Sequence, residues 1–60
     1  MTVDELKRSF TSDTEFVLYK DGQCVGAMPY EALHDTIFLN QNVKAFKAFC
    51  FKVTIKVELE

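Results

Sequence analysis

Three side chains in this sequence carry the thiol and imidazole groups of a zinc site, a redox pair or a Cys–His nucleophile: Cys24, His34 and Cys50. The two cysteines are separated by 25 intervening residues and share no C-x-x-C spacing, and His34 is the only histidine. A zinc site usually draws four ligands from tight knuckles, so this set predicts no metal and no cofactor. A redox pair or a Cys–His nucleophile is the functional alternative. The expectation taken forward is two buried, reduced thiols acting as small hydrophobes, the commonest state of free cysteine. The close carboxylate pairs, Asp4/Glu5 and Asp13/Glu15, lie beside a helix start and a turn, where acids serve as caps. General acid–base catalysis needs carboxyl groups in a sheltered pocket, which a chain of 60 residues hardly forms by itself. Tyr30 and His34, four apart, share a helix face and read as a packed aromatic pair. Gly22 and Gly26 are the only glycines, which excludes a glycine-rich phosphate loop. No catalytic residue is expected, and an enzyme ranks third among the functional readings.

The lysines make a different pattern. Lys44, Lys47, Lys52 and Lys56 are interleaved with Phe46, Phe49 and Phe51. Against Glu58 and Glu60 they give residues 43–60 a charge of +2, while the rest of the chain carries −4. Basic side chains beside aromatic rings on a sheet can hold a single nucleic-acid strand by phosphate contact and base stacking. Lysines on the solvent side of a strand also guard against edge-to-edge aggregation, and four of them supply few phosphate contacts. The leading expectation is therefore a protein-interaction surface, formed by Phe49, Lys52, Thr54 and Lys56. Its partner would be a second copy or another protein, with single-stranded nucleic acid as the runner-up.

The elements that position these residues follow from periodicity and turn chemistry. Thr2 and Glu5 form a capping box ahead of Val3, Leu6 and Phe10, which predicts a short amphipathic helix over 3–10. Thr14 to Lys20 is β-branched and aromatic and predicts a strand. Asp21-Gly22 is a hairpin turn, and Gln23 to Met28 returns antiparallel, with Gly26 permitting a bulge or a close approach by another backbone. Pro29 opens one or two helical turns over 30–34. Thr36 to Leu39 reads as extended and Asn40-Gln41-Asn42 as a reversal. From Phe51 to Leu59 apolar and polar residues alternate without a break, predicting a half-buried strand. Upstream, Phe46, Ala48 and Cys50 alternate in the opposite phase. A β-bulge near 47–50 would join the two phases into one strand over 49–59, and a helical turn over 43–48 is the competing reading.

The wording T-V-x-E-L-K at 2–7 and E-F-V-L-Y-K-D-G at 15–22 resembles the opening of many short bacterial open reading frames, often carried by prophages or other mobile elements. The resemblance covers residues 2–22 and implies no activity and no site residue. It suggests a small accessory protein, regulatory or inhibitory, of phage or mobile-element origin.

Together these features predict one α+β domain over 1–60. Two layers are expected, an antiparallel sheet of about three strands under two short helices in the order α-β-β-α-β. The expected core is Val3, Leu6, Phe10, Phe16, Leu18, Val25, Leu33, Phe51, Val53, Ile55 and Val57. A net charge of −2 gives no global attraction to nucleic acid or anionic membrane. No basic leader or apolar run near 18 residues is seen, so a cytoplasmic chain without membrane contact is expected. The long last strand outreaches the hairpin arms, and its unpaired backbone favours pairing with a homodimer mate or another protein through residues 43–59.

Overall fold

The computed structural model describes residues 1–49 and 54–60. Its elements are α1 (Val3–Lys7), β1 (Glu15–Lys20), β2 (Gln23–Pro29), α2 (Tyr30–Leu33), a 3-10 turn (Ile37–Asn40), β3 (Val43–Phe49) and β4 (Thr54–Leu59). They build the expected two-layer α+β fold, on a four-stranded sheet in the order β2-β1-β4-β3. The sheet is mixed rather than antiparallel. β1 pairs β2 and β3 pairs β4 antiparallel, but β1 and β4 run parallel, from Glu15 beside Thr54 to Lys20 beside Leu59.

α1 starts as the sequence requires: the Thr2 hydroxyl accepts from the Glu5 N–H at 3.3 Å, and the Glu5 carboxylate accepts from the Thr2 N–H at 3.0 Å. The helix ends at Lys7, short of Phe10, because Ser9 and Phe10 donate to Leu6 and Lys7 and tighten the last turn. Val3 and Leu6 still dock into the core. Phe10 is half-buried and meets Phe16 edge-on, ring centroids 6.1 Å apart.

The hairpin turn is as expected, with Asp21 at φ 53 and Gly22 at φ 80. Leu18 pairs Gly26 whereas Tyr19 pairs Cys24, so Val25 is the extra residue of a bulge. The bulge turns Val25 out to 42% exposure, and it leaves the expected core. Gly26 serves a second purpose. A Cβ there would sit 3.4 Å from the Phe38 ring, so the bare backbone is what that ring packs against, a side chain rather than the expected backbone.

After α2, residues 37–40 wind into a 3-10 turn instead of extending. The Thr36 hydroxyl donates to the Leu33 carbonyl at 2.8 Å, and Gln41 N–H donates to Phe38. Winding lets Phe38 and Leu39 pack on the core while Ile37 faces out. The N-terminus locks this end, since Val3 N–H donates to Gln41 and Val43 N–H to Met1.

The last third departs most from expectation. Residues 43–49 are strand, not helix, and 49–59 is not one strand: Phe49 ends β3 and sits beside Thr54, which opens β4. The opposed phases belong to two antiparallel strands paired side by side in the sheet. The actual irregularity in β3 lies between Val43 and Ala45, where Lys44 is the extra residue. Phe51 and Val53 of the expected core, and the upper end of the bulge placed near 47–50, lie outside the described residues. The described core is Val3, Leu6, Phe16, Leu18, Leu33, Val43, Ile55, Val57 and Leu59.

Candidate interaction surface

Cross-strand registers fix which side chains share a face. On the covered side, Met28–Phe16–Ile55–Ala48 and Gly26–Leu18–Val57–Phe46 form rows across β2, β1, β4 and β3, under the two helices. On the opposite side the rows are Pro29–Glu15–Thr54–Phe49, Ala27–Val17–Lys56–Lys47 and Cys24–Tyr19–Glu58–Ala45. No described element covers this second face.

The structure thus brings together three of the four residues expected at a partner surface. Phe49 and Thr54 are direct partners, and Lys56 lies in the next row. Lys52 lies outside the described residues. Lys47, one of the interleaved lysines, and Tyr19, which the local pattern does not single out, complete the group. Lys47 stands directly opposite Lys56, a like-charge pair that a sheet does not favour. Each ammonium leans on a ring: Lys56 lies 4.5 Å from the Tyr19 centroid and Lys47 5.9 Å from that of Phe49. Among the described residues neither lysine has a carboxylate within ion-pair distance, whereas Lys44 meets Glu58 at 3.9 Å. A shallow depression of about 130 Å³ lies between the strands, lined by Ala45, Phe46, Lys47, Lys56 and Glu58.

β3 itself is the outermost strand. All its residues from Lys44 to Phe49 are exposed, and Phe46 and Phe49 each keep 47% of their surface in water. Phe46 is on the covered side by register, yet it lies beyond the shelter of the helices. β4, expected to offer unpaired backbone, is interior and hydrogen-bonded on both sides. The outer edge at this end of the sheet belongs to β3. The opposite edge, β2, is blunted by the Val25 bulge and by Pro29.

The remaining chemistry-bearing residues do not converge. Cys24 is exposed on the β2 edge, contrary to the expectation of two buried thiols, because its partner Tyr19 faces the open side. Cys50 lies outside the described residues. Tyr30 and His34 pack edge-on as expected, at 6.0 Å. Between them sits a side chain the sequence did not flag. Lys7 is buried, with its ammonium 2.7 Å from His34 Nε2 and 4.1 Å from the Tyr30 ring centroid, and it ties α1 to α2. Among the described residues no three His, Cys, Asp or Glu side chains gather as metal ligands, and no helix is long and apolar enough to cross a membrane. No protein-family model, curated protein or solved structure matches the chain.

Proposed function

We propose that this chain is a non-enzymatic protein-interaction module that works by strand addition at β3. A single observation carries the reading: an outer strand, β3, that keeps two phenylalanines half in water, holds no proline, and past Val43, whose N–H donates to Met1, has no covering element among the described residues on its outer edge. Exposed backbone N–H and C=O groups on such an edge template another strand, and the side chains beside it set which strand is accepted. A small regulatory or inhibitory accessory protein, as the resemblance of residues 2–22 suggests, fits a module whose whole function is one contact.

The test is amide hydrogen exchange across residues 43–49 of the free chain and of the chain in its native extract. Alternate amides of β3 that exchange freely alone and become protected in the extract support strand addition. Unchanged exchange in both sinks it.

A second reading has its own observation. The opposed Lys47 and Lys56, each beside a ring, present two cations and two π faces on an uncovered sheet, the components of a single-stranded nucleic-acid platform. Two carboxylates, Glu15 and Glu58, share that face and oppose it. An oligonucleotide shift that weakens steeply with salt would favour this reading over strand addition.

A further inference from the structure

Resting on the reading of β3 as a strand-addition edge, we infer that its partner is an extended acidic segment of another protein, in which carboxylates alternate with apolar residues, rather than a second copy of this chain. A strand added outside β3 extends the rows already present. On the open side it continues Val17–Lys56–Lys47, so its side chain next to Lys47 meets a pair of cations that have no carboxylate within ion-pair distance among the described residues. A carboxylate there relieves the Lys47–Lys56 repulsion. On the covered side the same strand continues Leu18–Val57–Phe46 and Phe16–Ile55–Ala48. Its residues on either side of the carboxylate therefore meet Phe46 and Ala48, and apolar ones cover the exposed half of the Phe46 ring.

Except at Lys47, which faces Lys56, the inner edge of β3 already meets this pattern. There β4 presents Val57 to Phe46, Glu58 to Ala45 with its carboxylate reaching Lys44, and Leu59 to Val43. The outer edge asks for the same alternation. A second copy answers it poorly. β3 holds Lys44 and Lys47 and no carboxylate, so a β3–β3 pair collects four lysines along one seam. Lysines on an edge are a known guard against self-pairing, and here they also select by charge.

The probes are two capped seven-residue peptides, one alternating valine with glutamate and one alternating valine with lysine, each titrated into the chain at low salt. Chemical shifts and hydrogen exchange of residues 43–49 report binding, and light scattering reports mass. The acidic peptide is expected to protect alternate β3 amides and to bind at least about fivefold more tightly than the basic one, as one favourable cross-strand charge pair allows. In Lys47→Glu, shown folded by its circular dichroism, the preference should reverse. Equal binding of both peptides, or a dimer whose β3 amides are protected without peptide, overturns the acidic partner but leaves strand addition standing. Exposed β3 amides that neither peptide protects, in a chain that stays a monomer, overturn both.

Discussion

Two side chains carry consequences out of proportion to their size. Thr14 is buried, and its hydroxyl finds no hydrogen-bond partner among the described residues. Its backbone is satisfied, the N–H donating to the Thr11 carbonyl and the carbonyl accepting from Tyr30 N–H, but the hydroxyl is not. A buried hydroxyl without a partner costs roughly 1–3 kcal/mol, so Thr14→Val, which keeps the branched shape, should stabilise the fold by about 1 kcal/mol in urea unfolding. A drop in stability would show that the hydroxyl has a partner. The second is Glu5. Its carboxyl is held below the ordinary range mainly by the hydrogen bond from Thr2 backbone N–H, then by the Thr2 hydroxyl. A carboxyl whose pKa is lower folded than unfolded adds stability that is present above its unfolded pKa and fades as pH falls through its folded one. The capping box should therefore open only at a pH below the usual glutamate titration. Following the Thr2 amide by NMR against pH will give that midpoint. In Glu5→Gln the transition should vanish, since the amide keeps the cap without titrating.

Among the elements, the β2 bulge and the 3-10 turn are one unit, because the Phe38 ring packs on the backbone that Gly26 leaves bare. In Gly26→Ala the new Cβ lies 3.0 Å from the flexible end of Met28 and 3.4 Å from Phe38, so Met28 swings aside and the cost should stay below about 1 kcal/mol. Gly26→Val adds two methyls against the ring and should cost about 1–3 kcal/mol, with loss of Phe38 contacts visible by NMR. Equal stability for both variants would mean that the ring does not bear on this site. The local elements were legible in the sequence wherever a turn or cap has its own chemistry: the capping box, the Asp21-Gly22 turn, Pro29 at the head of α2, and the bulge that Gly26 allows. The 3-10 turn was not, because Thr36 to Leu39 has no period, and its winding is set by where Phe38 must go. In β3 and β4 the opposed phases were visible. A bulge and a reversal produce the same phase change, and only pairing partners distinguish them.

At the scale of the whole molecule the least legible property was strand order. Alternation in β4 announced a strand covered on one face, and the structure keeps that face, with Ile55, Val57 and Leu59 buried. It could not announce that β4 lies between β1 and β3, since an interior strand and an edge strand with one wet face show the same period. The partner surface was legible in part for the same reason. Phe49, Thr54 and Lys56 were picked from one stretch of chain, while Tyr19 joins them only through the parallel pairing of β1 with β4. A chain truncated after residue 53 should accordingly lose all cooperative unfolding, because β2-β1 and β3 then have no shared neighbour. Retention of native near-ultraviolet dichroism in that fragment would contradict the central place of β4. The same placement also sets a schedule. The strand that joins the two halves follows every other described element along the chain, so Phe16 and Leu18 are made well before the Ile55 and Val57 that complete their burial. Until then the nascent chain is an apolar hairpin in need of shelter. Folding must then close a parallel pair across some forty residues, the kind of long-range closure that makes small domains fold slowly.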